Sequence, residues 1–226
     1  MAEHEDMNED MNDDDAPERA SDAGDANGIE PTAPCRHREP IEGRTRLRQL
    51  PWRGKINLRG DADDARFHRR VARALEVSAD ASALPRKANR AAMHDDLTAF
   101  WLGPNEWLLH CPPARADSIT RRLREQLAPL HHAVTEVTDY YTVLELAGEH
   151  AVAALARGCP LDLHAREFTP GQCAQSRFGH ASILLHKLPP RDDAEPLFHL
   201  QVRWSFAEYV WAYLARVISS LPATSL

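Results

Sequence analysis

The chain has 226 residues, 43% of them hydrophobic and 27% charged, which suits one to two globular domains. Its formal charge of −7 is unevenly placed: residues 1–28 hold eleven acids against one base, Arg19, a net of −10, and the remainder is +3. No apolar run approaches the ~20 residues of a membrane-spanning helix, and no basic-then-apolar leader opens the chain. Cys35, Cys111, Cys159 and Cys173 are scattered without a C-x-x-C pair, which argues against a disulfide scaffold and for reduced thiols in the cytoplasm.

Residues 1–40 are Asp, Glu, Asn, Ala, Pro and Gly with almost no large apolar side chains. Such a segment cannot bury enough surface to offset chain entropy, so it reads as a disordered acidic tail, a solubilising extension more readily than a partner-binding arm. The body follows at residue 45. Lys55–Arg59 alternates as a strand and Gly60 closes it. Phe67, Val71, Ala74 and Leu75 then share one helical face, with Asp61, Asp63 and Asp64 where a helix N-terminus favours negative charge. Residues 98–102 and 106–110 read as a hairpin around Gly103-Pro104-Asn105. Ile119, Leu123 and Leu127 mark a second helix.

The second half repeats the order. Thr142–Leu146 is a strand ended by Gly148. A short helix carries Val152, Leu155 and Cys159, with Gly158 at its C-terminus and Pro160 beyond it. Two strands follow at 182–186 and 198–202, and Ser205 with Glu208 predicts a capping box at the start of a last helix whose buried face is Phe206, Val210, Tyr213, Leu214 and Val217. Leu58-Arg59-Gly60 aligns with Leu146-Ala147-Gly148, and Ile119 and Leu123 align with Val210 and Leu214, at nearly constant offset. The pattern predicts an α+β fold of duplicated split β-α-β units, ferredoxin-like, over about 45–132 and 133–222.

Candidate chemistry is sparse. His110, His186 and His199 fall on strands where they could gather with Cys111 or Cys173, and Cys35-x-His37 lies at the edge of the tail, but none has the spacing of a structural zinc site. Cys159 stands at a helix C-terminus, where the dipole disfavours a thiolate, and Cys173 has no evident base beside it. No nucleotide-binding glycine motif, hydrolase elbow or H-E-x-x-H occurs. Residues 44–90 carry thirteen bases and five acids, but with only Trp52 and Phe67 as aromatics they lack a nucleic-acid stacking platform. Trp101, Trp107, Trp204 and Trp211 are more informative. The last helix is apolar on more than one face, as at a subunit interface, so Trp107, Trp204, Phe206, Tyr209 and Trp211 are the interface candidates. On that reading Trp211→Asp weakens assembly without unfolding the chain.

Four strings in this order, Leu102-Gly103-Pro104-Asn105-Glu106-Trp107-Leu108-Leu109, Gly158-Cys159-Pro160-Leu161-Asp162-Leu163, Cys173-Ala174-Gln175 and Ser205-Phe206-Ala207-Glu208-Tyr209 with Trp211 and Leu214, resemble the gamma subunit of heterotetrameric sarcosine oxidase. The resemblance covers roughly residues 45–220 and makes Gly158, Cys159, Pro160, Asp162, Cys173 and Gln175 structural motif residues. It implies a fold like the N-terminal part of the glycine-cleavage aminomethyltransferase. It also implies alpha, beta and delta subunits as partners, with no nucleic acid and no membrane. FAD, FMN and NAD would sit on other subunits, as would the use of tetrahydrofolate. The complex it implies oxidises sarcosine to glycine with hydrogen peroxide, and the one-carbon unit leaves as formaldehyde or methylene-tetrahydrofolate. This chain would then be a noncatalytic structural subunit binding no cofactor or metal. Folate-dependent relatives of that fold have an acidic residue after the glycine of a strand that here reads Gly179-His180-Ala181-Ser182-Ile183-Leu184-Leu185, without a carboxylate. The iron–sulfur repair relatives carry a Lys-Gly-Cys-Tyr signature followed by Gly-Gln-Glu, from which Pro170-Gly171-Gln172-Cys173-Ala174-Gln175 departs. The alternative is a stand-alone folate-binding or one-carbon transferase-like protein.

Overall fold

The computed structural model describes residues 34–222, apart from 36, 79–81 and 192–194. The acidic segment over 1–33 lies outside the described residues. Its expected boundary at residue 40 does not hold at Cys35, which is 1% exposed in a hydrophobic core with its amide donating to Gln49 Oε1 at 2.8 Å.

The first half builds one antiparallel sheet. Strands β2 (Gly54–Gly60), β3 (Ala91–His94), β4 (Leu97–Gly103), β5 (Glu106–Cys111) and β6 (His132–Glu136) lie in the order β3-β4-β5-β2-β6. Helices α1 (Ala65–Leu75) and α2 (Ala116–Leu127) cover one face. Helix α1 starts where Asp64 caps the Arg66 amide at 2.7 Å, satisfying a donor that has no intrahelical partner. Its predicted face of Phe67, Val71, Ala74 and Leu75 is buried against Ile56, Leu58 and Trp107 of the sheet.

The second half builds a matching sheet. Strands β1 (Thr45–Gln49), β7 (Tyr141–Gly148), β8 (Cys173–Phe178), β9 (Ala181–Leu188) and β10 (Leu197–Arg203) lie in the order β1-β7-β10-β9-β8, again antiparallel. Helices α3 (Ala151–Ala156) and α4 (Ala207–Ser220) pack on its outer face in a second core. The two sheets meet on the faces that the helices leave free, where Phe100 and Leu108 of one sheet contact Cys173 and Leu184 of the other. The result is four layers, helix pair, sheet, sheet, helix pair. It is the duplicated α+β arrangement that the sequence predicts.

The duplication carries an exchange that the periodicity does not reveal. Strand β1 stands just before β2 in sequence, but it pairs with β7 of the other sheet, Leu47 opposite Leu146. Strand β6 stands just before β7, but it pairs with β2, Val134 opposite Leu58. Each half lends its leading strand to the other sheet. The division at 132/133 therefore does not separate the sheets: β1 belongs with the second and β6 with the first. Both edges are closed on apolar residues, since Leu47 is fully buried and Val134 is 8% exposed.

One local prediction fails. Ser205 and Glu208 form no capping box. Trp204–Phe206 make a 3-10 turn, α4 begins after Phe206 without a side-chain cap, and Glu208 instead accepts two hydrogen bonds from Arg38 at 2.9 and 3.0 Å. The ion pair to the residues before β1 displaces the local cap.

Candidate functional site

Beyond an apolar row of Ala147, Leu197 and Leu188, the strand register lays three rows of side chains on the face of the second sheet that looks toward the first. Directly opposed residues of antiparallel strands point the same way, and every second residue joins them. The deepest row is Glu145, His199, His186 and Cys173; the middle row is Val143, Gln201, Leu184 and Gln175; the outer row holds Tyr141 and Arg203 on adjacent strands, with the opposed pair Ser182 and Arg177 further across. The first sheet answers with Lys55, His110 and Thr98, then Asn57, Leu108 and Phe100. A polar layer thus lies between two sheets whose other faces are apolar.

The inner rows are held by specific contacts. His110 Nε2 meets Gln201 Oε1 at 2.5 Å, and the Phe100 ring lies edge-on to both His110 and His186, with centroids 4.9 and 5.2 Å away. Burial, reinforced by the Lys55 cation, pushes His110 down to about 3; burial does the same to His186, with His199 adding to it. His186 Nε2 is buried without a hydrogen-bond partner. Lys55 is lowered to about 8 by burial and by Arg53, and its ammonium donates to the carbonyls of Arg53 and Thr138 and sits 4.8 Å over the Trp52 ring. Burial pushes Glu145 up, but hydrogen bonds from His199 and Arg48 outweigh it and hold the carboxyl at about 2.

The expected gathering of histidines is therefore half right. His110, His186 and His199 come together with Cys173 along the layer, whereas Cys111 lies on the opposite face in the helix-side core. Among the described residues no group of three or more His, Cys, Asp and Glu side chains stands close enough to hold a metal ion. Cys35 is pushed up to about 12 by burial and Glu208, and burial raises Cys111 and Cys173 to about 11. A thiol held this high is a poor nucleophile at neutral pH.

The interface candidates divide sharply. Trp107 is 1% exposed, stacks on Phe67 at 5.6 Å and donates its indole N–H to the Pro85 carbonyl, and Trp211 is 4% exposed in the second core. Neither can meet a partner, and Trp211→Asp would put a charge in a core rather than weaken assembly alone. Trp204, Phe206 and Tyr209 are exposed at 46%, 38% and 37% around the start of α4. The pattern that made the last helix apolar on more than one face combined these outward residues with the inward Val210, Trp211 and Leu214.

The motif residues frame a shallow groove beside Tyr209. Gly158, Pro160, Arg177, Gly179, His180 and Tyr213 complete its lining. The Gly179 amide donates to the Gly158 carbonyl, the His180 amide donates to the Tyr209 hydroxyl at 3.1 Å, and Tyr213 donates to the Arg157 carbonyl. Gly179 has φ +57° and a Cβ there would stand 2.3 Å from the Tyr209 hydroxyl, so a side chain is excluded twice over. Cys159 and Leu163 are buried, Asp162 accepts the His164 amide in a turn, and Gln175 donates to the Leu102 carbonyl at 2.7 Å, tying the second sheet to the first hairpin. Arg177, Arg203 and Tyr141 escaped the sequence reading. The signal was present as Gln-x-Arg at 175–177 and His-x-Gln-x-Arg at 199–203, polar residues at alternate positions of strands with both faces covered.

The family model described as "Sarcosine oxidase, gamma subunit family" matches residues 59–220. The chain belongs to the sarcosine oxidase gamma subunit family. Among curated relatives, sarcosine oxidase subunit gamma of Corynebacterium sp. (strain U-96) is 27% identical over 80% of this chain and 82% of its own, and that of Arthrobacter sp. is 26% identical over 76% and 72%. Heterotetrameric sarcosine oxidase from Corynebacterium sp. U-96 contains a chain that superposes with a TM-score of 0.72 at 24% identity, covering 86% of this gamma-family chain and 97% of that one. Glycine cleavage system aminomethyltransferase T from Bartonella henselae superposes with a TM-score of 0.52 at 16% identity over 74% of this chain and 44% of its own. The fold is therefore shared with the aminomethyltransferase, as the sequence strings imply.

Proposed function

We propose that this gamma-family chain is an accessory subunit of a heterotetrameric sarcosine-oxidising flavoenzyme. It supplies a docking and bracing surface, and the redox groups stand on its partners. The observation that carries the reading is the aromatic rim of Trp204, Phe206 and Tyr209, exposed together on a chain of this family. Large aromatic side chains are enriched where protein interfaces bury their cores. The state of the potentially reactive groups supports the same reading: Cys35, Cys111 and Cys173 are held protonated, and His110 and His186 are held neutral inside the layer. In this proposal alpha and beta subunits hold FAD, FMN and NAD, a delta subunit completes the tetramer, tetrahydrofolate accepts the one-carbon unit on those partners, and the assembly works in the cytoplasm.

The test is affinity capture of this chain from cells expressing the flavoprotein subunits, with a visible spectrum of the eluate. Co-elution of large subunits with flavin absorbance that sarcosine bleaches supports the proposal. A colourless, single-species eluate from those cells refutes it.

A further inference from the structure

The outer row of the polar layer opens to solvent as a cleft of about 450 Å³ between the second sheet and the β4–β5 hairpin. Its sheet wall presents Arg177 on β8, Ser182 on β9, and Arg203 on β10 beside Tyr141 on β7. Arg177 and Arg203 stand two strand spacings apart, about 10 Å, close enough for two long side chains to converge on one ligand. Neither guanidinium makes an ion pair or hydrogen bond among the described residues; Arg203 lies 5.2 Å over the Tyr140 ring, which orients it without neutralising it. The floor adds Gln201, whose carbonyl oxygen is taken by His110 so that its amide N–H₂ is the end left to donate. Leu102 and Leu184 give the cleft an apolar flank. Among the described residues no carboxylate lines it; Glu106 is near enough to bear on Tyr141, but Arg59 and Asn57 hold it at 2.7 and 2.8 Å.

We propose that this cleft binds a carboxylate carried on an apolar body. Two unpaired guanidiniums match a planar two-oxygen anion in fork geometry, and the hydroxyls of Ser182 and Tyr141 and the Gln201 amide supply further donors. The leucine flank suits an apolar body rather than a fully hydrated ion such as inorganic phosphate. The carboxylate has two sources, a free organic acid or an acidic side chain of a partner subunit. The site does not rest on the accessory reading, because the free chain can be tested for it.

The experiment titrates benzoate, and separately inorganic phosphate, into the purified full-length chain, following tyrosine and tryptophan fluorescence or calorimetric heat. Arg177→Gln and Arg203→Gln are titrated in parallel after their thermal melts are matched to the parent; both side chains are exposed, so folding is retained. Saturable benzoate binding, at least tenfold tighter than phosphate and weakened at least tenfold by each substitution, supports the site. A second arm compares assembled complexes carrying the parent or doubly substituted chain, so that carboxylate sites on other subunits cancel. Benzoate binding that persists in the parent complex identifies a free organic acid. Benzoate excluded from the parent complex, with assembly of the substituted chain weakened at least tenfold, identifies a partner carboxylate. Absence of saturation in the free chain, equal affinity for phosphate, or substituted chains that bind as the parent overturns the proposal.

Discussion

Acidification from about pH 7.5 to about pH 5 is the most direct probe of the polar layer. His110 and His186 are lowered from 6.5 to about 3 by burial. Between those values the unfolded chain holds a proton on each imidazole that the folded chain does not. Their contribution is harmless above pH 6.5 and increasingly destabilising as pH falls through the window toward 3. Each costs about 1.4 kcal/mol per pH unit, so the pair removes about 4 kcal/mol by about pH 5. That is a large share of the ~5–15 kcal/mol by which a typical domain is stable. Glu145, held at about 2, begins to add to the loss only once pH approaches its ordinary value of 4.5. Lys55, lowered to about 8, is fully protonated in both states only below about pH 7, so it adds a small slope of the same sign at the top of the range and none below it. His68, lowered mainly by burial, adds in the same direction as the pair. The assay is the urea midpoint at half-unit steps of pH. His186→Leu, which also removes the unpartnered Nε2, is expected to reduce the slope by about 1.4 kcal/mol per pH unit. A parent midpoint that is flat over this range, or a His186→Leu slope equal to the parent's, refutes the account of two buried neutral imidazoles.

Other perturbations separate core from rim and test the exchanged strands. Trp211→Ala is expected to cost about 3–5 kcal/mol in denaturant unfolding, as for a buried aromatic. Trp204→Ala should cost less stability than Trp211→Ala while lowering recovery of flavoprotein subunits in the capture assay; unchanged recovery argues against the rim as a contact. Gly179→Ala should destabilise by roughly 1–2 kcal/mol through the positive φ and the Tyr209 clash, and Tyr209→Phe, which loses the acceptor for the His180 amide, should cost about 1 kcal/mol; equal melts for Gly179→Ala and the parent contradict the packing described. A fragment of residues 133–222 should show no cooperative unfolding by circular dichroism, because β7 lacks its β1 partner, and a peptide of residues 34–50 should restore it. A fragment that folds cooperatively alone shows the exchange to be dispensable.

Much of the fold follows from local chemistry. The 3.6-residue spacing of Phe67, Val71, Ala74 and Leu75 produces α1 under an Asp64 cap, and the two apolar runs either side of the Gly103-Pro104-Asn105 turn produce the β4–β5 hairpin. Those signals depend on neighbours a few residues away, so one sequence suffices to find them, and the four motif strings carried the family resemblance for the same reason. Local chemistry misled where distant groups compete for it. Ser205 falls inside a 3-10 turn and Glu208 pairs with Arg38 instead of closing a capping box, and Trp211 and Trp204 look alike in sequence although only the second faces solvent.

By itself, the sequence determined the helices, most of the strands, the duplication and the family, but it left β1, β3 and β6 unmarked. Tertiary structure alone decided which sheet each leading strand joins, because the short links into β2 and β7 permit either pairing and the choice rests on Leu47 meeting Leu146 and Val134 meeting Leu58. It alone decided that residues as distant as Arg177 and Arg203 share one cleft wall, since that proximity comes from strand register across β8, β9 and β10 and not from any spacing along the chain.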